Sequence, residues 1–329
     1  MKYYLGLDVG GTNLAAGVVD ENCRLVSRAE RPSGAGRSIE AITDDMVRTC
    51  EEASLATGKK LEDFAYIGIG MPSCVNPATR LLVHANCFGW RNVPIYEYLE
   101  KKLPVPVRIE NDANCAALGE MLAGAAGGVR NLIMLTLGTG VGSGVIIDGK
   151  IFSGADGMGA ELGHTKIVYK GRKCTCGQLG CVDAYCSATG LCESAKEKLV
   201  FSKDSLIHSY CGGNFAALNA RMIFDAEAEG DLLAREILDQ YIDLLASTMG
   251  DFTAIFRPEL FILGGGVSNA GERLLAPLRR KLRVVTFAGQ EIGVPGIVQA
   301  ACGNEAGIIG AAMLGADIQK PADQEEMAS

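Results

Sequence analysis

Asp8-Val9-Gly10-Gly11-Thr12-Asn13 begins within the end of the run Tyr3 to Val9, and Leu14 to Val19 runs back from it. Far downstream the device recurs: Leu132 to Leu137 reads as a strand, enters Gly138-Thr139-Gly140-Val141-Gly142, and is followed by the strand-like Ser143 to Ile147. A strand, a turn of glycine and threonine, and a returning strand therefore occur twice, and repetition of a supersecondary unit bears directly on the fold. Two such units facing each other could hold a nucleotide's phosphates between two domains. Glycine lets backbone N–H groups approach phosphate oxygens where a Cβ would clash, and the Thr12 hydroxyl can donate to one. Asp8 cannot meet phosphate directly, because like charges repel. It makes sense with a hydrated magnesium ion between them. The plainer reading of this first segment is a Gly-Gly hairpin with an acid at its rim.

Around these turns the pattern is that of an α/β protein. Leu25 to Arg28 adds a third strand after the turn at Glu21-Asn22, giving an antiparallel meander. Ile39, Ile42, Met46, Cys50 and Ala53 form a helical apolar stripe, with Ser38 to cap it and Gly58 to end it. Strands are expected at Phe64 to Ile69 and Val105 to Ile109, the second running into Glu110-Asn111-Asp112 and a helix over Ala113 to Ala123. Gly144 to Lys150 imitates a triphosphatase loop, but Ile151 stands where Ser or Thr is required, and Asp148-Gly149 reads as a hairpin turn into Ile151-Phe152. A long helix is expected over Asp231 to Phe256, a strand at Leu260 to Leu263, a helix from Ala270 to Leu282 and a short one from Glu305 to Leu314. The tail from Pro321 is polar and reads as disordered. Gly264-Gly265-Gly266 could lie flat against an adenine or ribose, or be only a helix-entry loop.

Composition limits the partners. The chain has 329 residues, long enough for two domains, and with 48% hydrophobic and 21% charged residues it reads as globular. A net charge of −8 disfavours nucleic acid and anionic membrane. No secretory signal is visible, because Asp8 and Gly10-Gly11 break the apolar start, and no run is long enough to span a bilayer. The expected location is the cytoplasm, where twelve cysteines read as thiols or metal ligands rather than disulfides.

Two constellations carry chemistry. Glu110-Asn111-Asp112 sits between a strand and a helix, where a carboxylate points into a cleft. Phosphoryl transfer needs positioning, charge neutralisation and a proton acceptor; Asp112 would take a hydroxyl proton, and Asn111 can both donate to and accept from sugar hydroxyls. Either residue could instead simply cap the helix. His164, Cys174, Cys176 and Cys181 supply an imidazole and three thiolates, a complete tetrahedral shell for structural zinc. Gly177 and Gly180 lie inside the loop where a tight knuckle needs permissive backbone. With twelve cysteines, chance clustering is the competing explanation. His84 and His208 have no such setting and read as loop residues.

These motifs together resemble the ROK (repressor, open reading frame, kinase) sugar kinases, glucokinases in particular. The resemblance rests on Asp8 to Asn13, Gly68 to Pro72, Glu110 to Asn114, Leu137 to Gly144, Glu161-Leu162-Gly163-His164, Cys174 to Cys181 and Leu263 to Ser268, and runs from about residue 3 to residue 315. It implies an actin-like (ribonuclease H-like) two-domain fold with an interdomain cleft: a small domain of residues 1–114 plus 304–329 and a large domain of 115–303 with the zinc site. It implies ATP-dependent phosphorylation of a hexose, D-glucose first, with Asp112 as general base, Mg2+ at Asp8 through water, and a structural Zn2+. Asn86, Asn111, Asp112, Glu161, His164 and Asp183 would touch the sugar, with His164 also on zinc. Asp8, Gly10, Gly11, Thr12, Asn13, Gly138, Thr139, Gly140, Gly264, Gly265 and Gly266 would serve the nucleotide. Sugar and nucleotide are then the small-molecule partners, and a homodimer or homotetramer is expected. One departure stands out: after the third cysteine the family usually has a Glu two residues on, and this chain has Asp183, about 1.5 Å shorter in reach. That keeps N-acetylmannosamine, allose or fructose in view as acceptor. A sugar-sensing repressor would need a DNA-binding domain before Asp8, for which seven residues leave no room, and a non-catalytic binder would not keep Asp8, Thr12, Asp112 and Thr139.

Overall fold

The computed structural model describes residues 2–34 and 36–316. The tail from Pro321 lies outside them. In chain order, β1 (Tyr3–Val9), β2 (Asn13–Asp20) and β3 (Leu25–Pro32) form the meander, and α1 (Ile39–Leu55) follows. Next come β4 (Ile67–Met71), β5 (Cys74–Val75), β6 (Leu82–Ala85), β7 (Trp90–Val93), α2 (Ile95–Glu100), β8 (Val107–Asn111) and α3 (Asp112–Ala123). The chain continues through β9 (Leu132–Leu137), β10 (Val141–Ile147), β11 (Lys150–Ile151), α4 (Asp183–Cys186), α5 (Ala188–Leu199), α6 (Leu206–Tyr210), α7 (Ala220–Ala228) and α8 (Leu232–Phe256). It ends with β12 (Leu260–Gly264), α9 (Glu272–Val285), β13 (Gly296–Gln299) and α10 (Ala306–Ala312). One sheet runs β3-β2-β1-β4-β8 and another β11-β10-β9-β12-β13. Both mix antiparallel hairpins with parallel pairs. No helix among the described residues is long and apolar enough to cross a membrane.

Two compact units result among the described residues: the chain up to Arg130 with Gly144–Gly159 and residues 301–316, and Asn131–Ser143 with Ala160–Ala300. In the first unit Leu5, Leu7 and Val9 of β1, Ile67 and Ile69 of β4, and Ile42, Met46 and Cys50 of α1 build the core. Ser38 caps α1 through its hydroxyl on the Ala41 N–H, and Gly58, at φ +71°, turns the chain away just beyond. Covering the other side, α10 comes nearly to van der Waals contact with the sheet backbone. A Cβ on Gly6 would sit 2.2 Å from the Ile308 oxygen, and one on Gly68 1.7 Å from the Ala311 oxygen. Glycine is required there for closeness. The same holds between α3 and α10, where a Cβ on Gly310 would lie 1.7 Å from the Cys115 oxygen. Buried Glu120 completes this join, accepting backbone N–H groups from Ala125, Ala301 and Cys302 at 2.7–3.0 Å.

Several elements differ from the sequence reading. β4 begins at Ile67 rather than Phe64, because Leu61–Asp63 forms a 3-10 turn that ends at Phe64. β8 begins at Val107: Pro104 and Pro106 have no N–H to give a ladder. β10 begins at Val141, directly from the turn. The stretch from Gly266 to Ala270 is a 3-10 turn, Gly271 at φ +59° breaks it, and α9 starts at Glu272. His84 lies on β6 opposite Arg91, and His208 lies in α6 with Nε2 3.2 Å from the Leu199 oxygen, so neither is a loop residue. Asp148 and Gly149, at φ +52° and +75°, make the expected hairpin turn between β10 and β11. The small sheet β5-β6-β7 and the helices α4 and α6 carry too short a pattern for sequence periodicity to reveal, whereas α5, which buries Leu191, Ala195 and Leu199 at four-residue steps, and α7 carry one that the sequence reading passes over.

Candidate active site and metal knuckle

In the first unit the register decides which residues meet. Asp8 of β1 pairs with Gly70 of β4, and Gly70 with Glu110 of β8, all in parallel. Three strands therefore end together, and their carboxyl edge carries Asp8 on one side and Asn111-Asp112 on the other. At the usual strand spacing two steps span roughly 10 Å. Ligands of open α/β sheets bind at such edges. Asn111 caps α3: its side-chain oxygen accepts from the Ala113 and Asn114 N–H groups at 2.8 and 3.1 Å. Asp112 is the first helical residue, with Oδ1 2.8 Å from the Ala113 nitrogen, an acid where the helix dipole favours it. Asn111 is thus the cap, and the Asp112 carboxylate lies beside it at the same corner. Glu110 turns back, its Oε1 accepting from Asn111 N and Asn114 Nδ2 at 2.9 and 3.0 Å.

The first phosphate turn closes through Gly10 N on the Asn13 oxygen at 2.8 Å. Asn86 opens the 3-10 turn Asn86–Phe88, and Cys87 behind it lies so near that a Cβ on Gly11 would be 2.9 Å from its Cβ. The Asn86 segment is thereby brought to the first turn. Asp8 is partly buried beneath α10: a Cβ on Gly307 would lie 2.6 Å from its Oδ2. Burial pushes the Asp8 carboxyl up to about 6, against the pull of Arg28. A carboxylate that burial disfavours has most to gain from a cation, so Asp8 fits the hydrated magnesium expected there.

In the second unit β12 runs parallel to β9, Gly264 opposite Thr136, so the two glycine turns lie side by side. Gly265, at φ +80°, passes so close to Leu137 that a Cβ would sit 2.6 Å from its carbonyl carbon. Glu161 leads into the 3-10 turn Leu162–His164. That turn is pinned to β10: the Leu162 N–H donates to Ser143 Oγ at 2.9 Å, and a Cβ on Gly163 would strike the Val141 oxygen at 2.0 Å.

His164, Cys174, Cys176 and Cys181 converge, their ligand atoms all within 4.8 Å of one another. Cys174 Sγ lies 3.7 Å from His164 Nδ1, and Cys176 Sγ 3.6 Å from Cys181 Sγ. A tetrahedral ion with bonds of about 2.3 Å requires ligand separations of about 3.7 Å, so this donor set fits zinc. Gly177 and Gly180, at φ +89° and +79°, allow the knuckle to fold. Lys166, not singled out by spacing, reaches Cys181 Sγ with Nζ at 3.0 Å, a positive charge beside three sulfurs. Asp183 is buried; Oδ2 accepts the Val141 N–H at 2.8 Å, and Oδ1 lies 3.6 Å from Cys174 Sγ.

Two mixed sheets flanked by helices, glycine turns at their carboxyl edges, an acid at a strand-to-helix corner and a knuckle of one histidine and three cysteines define an actin-like sugar-kinase architecture. The ROK family model matches residues 4–318. A glucokinase of Thermotoga maritima is 36% identical over 311 residues, covering 94% of this chain and 96% of that one. An N-acetyl-D-glucosamine kinase of Pasteurella multocida is 31% identical, covering 95% and 99%. The crystal structure of a ROK family glucokinase from Streptomyces griseus, in complex with glucose and AMPPNP, superposes with a TM-score of 0.79 at 33% identity, covering 95% of this chain and 99% of that one. The chain belongs to the ROK family and is an ATP-dependent kinase of a hexose-type sugar.

Proposed function

We propose that this kinase transfers the γ-phosphoryl group of ATP to the 6-hydroxyl of D-glucose, with Asp112 as general base. The observation that carries the reading is the parallel register Asp8–Gly70–Glu110, which sets Asp8 and Asp112 on one sheet edge. Asp112 would accept the hydroxyl proton as the oxygen attacks phosphorus, and the cap bonds of Asn111 hold the corner that aims it. Asn86, Asn111, Glu161 and His164 would bind the sugar hydroxyls. The turns Gly10 to Asn13 and Gly138 to Gly140, each closed by the N–H of its first glycine, would present their other backbone N–H groups to phosphate oxygens, with Gly264 to Gly266 beside the nucleoside. Mg2+, held by Asp8 through water, would supply charge neutralisation. Zn2+ on His164, Cys174, Cys176 and Cys181 would be structural, since the four protein ligands leave no open position.

ADP release over a panel of glucose, N-acetylmannosamine, allose and fructose tests the reading. Glucose should give the highest kcat/KM; a higher value for another hexose overturns glucose as substrate, and no sugar-stimulated ADP release overturns the mechanism. The reading with a different hexose is favoured by one observation: Asp183, where the family usually has Glu, directs its oxygens at Val141 and Cys174. We place the enzyme in the cytoplasm, in keeping with twelve cysteines that form no disulfide, as a homodimer or homotetramer.

A further inference from the structure

One short stretch of chain grips the second glycine turn at three of its four residues. Asp183 Oδ2 accepts the Val141 N–H at 2.8 Å. The Ala188 N–H donates to the Gly138 oxygen at 2.8 Å. Thr189 Oγ1 donates to the Thr139 oxygen at 2.8 Å. Gly140 has no side chain where the carboxylate passes: a Cβ there would be 2.6 Å from Asp183 Oδ2. Within itself the turn makes the Gly138 N–H to Gly140 oxygen bond, at 3.0 Å. The gripping stretch is rigid. Ser187 caps α5 through the Gly190 N–H at 2.9 Å, and Arg172 bonds the Ala184 and Gly190 oxygens at 2.6 and 3.2 Å.

Planarity turns this grip into a direction. In a trans peptide the N–H points opposite to the C=O of the same unit. Holding the Gly138 and Thr139 oxygens toward α5 therefore aims the Thr139 and Gly140 N–H groups away from it, side by side, as two donors to one anion. We infer that Asp183 and Thr189 are positioning residues of the nucleotide site: they fix the peptide planes of the Gly138–Val141 turn so that the Thr139 and Gly140 N–H groups face the phosphates. This rests on the reading above that the turn binds ATP. It also gives the shorter acid at position 183 a function of its own. Buried Asp183 meets a backbone amide of the nucleotide turn and lies two residues beyond the last knuckle cysteine, so the knuckle anchors that turn as well.

The test is direct binding of AMPPNP by calorimetry, with KM for ATP and for the hexose measured separately, on four variants. Asp183→Ala leaves a buried N–H without its acceptor, and nucleotide affinity should fall about 10-fold. Asp183→Asn keeps an acceptor oxygen and should bring affinity back to within about threefold of the parent. Thr189→Val, at an exposed position away from the knuckle, should raise the ATP KM about threefold at unchanged metal content. In Thr189→Val the hexose KM should move less than about twofold. Parent-like nucleotide binding in both Asp183→Ala and Thr189→Val overturns the inference, and so does a loss that appears in the hexose KM instead. If Asp183→Ala does not fold, Thr189→Val decides alone. Gly138→Val tests the underlying reading separately: a Cβ there meets only the Gly140 oxygen at 3.9 Å, and an unchanged Tm shows that the fold accepts the two methyl groups. Unchanged nucleotide binding in Gly138→Val removes the turn from the nucleotide site; loss in that variant alone removes only the positioning role.

Discussion

Asp112 stands at the first residue of α3, next to the residue that caps it, and its proposed role as base makes a clean prediction there. Because Asn111 holds the helix start, Asp112→Asn should leave the fold intact while removing the proton acceptor. kcat should drop by about two to four orders of magnitude with little change in the hexose KM; a near-parental kcat takes the role of base from Asp112. Asp8 offers a second, opposite signature. Its carboxyl is raised from 3.8 to about 6 by burial. An acid whose folded-state pKa is raised favours the folded state while protonated, so its contribution is full below about pH 4 and lost as pH climbs through about 6. A shift of about two units corresponds to at most about 3 kcal/mol. Asp8→Asn should therefore be more stable than the parent near pH 7.5 by up to that amount in urea unfolding without nucleotide, and equal to it near pH 4. Equal stability at both pH values removes the burial penalty.

At the scale of elements, the short helix α10 matters more than its length suggests. It lies on β1, β4 and α3 with glycines at every close approach, and Gly307 within it makes room for Asp8. Gly68→Ala places a methyl 1.7 Å from the Ala311 oxygen, where only backbone can give way. The expected cost is at least about 3 kcal/mol, at the upper end for overpacking, read from the urea midpoint. Activity should fall with it, because α10 cannot lift without exposing Asp8. A parent-like midpoint would show that α10 does not press on the sheet.

For the molecule as a whole, the metal knuckle is the feature most open to manipulation. Three thiolates and an imidazole that assemble only in the folded chain tie metal binding to stability. Cys176→Ser should lose zinc by elemental analysis, lower Tm by several degrees (on the order of 5 °C) and raise the hexose KM through His164. Full metal occupancy in that variant would remove Cys176 from the ligand set. Light scattering in solution should give the mass of a dimer or tetramer; a monomer overturns the proposed assembly.

Much of this was legible from the chain alone. The Gly-Thr turns, the Glu110-Asn111-Asp112 corner and the cysteine knuckle are local patterns, with the chemistry and its spacing lying within a few residues. Strand–turn–strand order, the cap at Ser38 and the hairpin at Asp148-Gly149 follow for the same reason, because local dihedral preferences and hydrogen-bond reach fix them. Tertiary structure alone decided that Asp8 and Asp112 share one sheet edge, since they are joined only through the register of β4. It also decided that α10 lies on Gly6 and Gly68 and that Asp183 and Thr189 hold the turn at Gly138. These contacts join residues far apart in sequence, and a glycine or a threonine looks the same in the chain whether or not a distant backbone passes against it. Periodicity records which face of an element is apolar; which partner covers that face is set by how the whole chain packs.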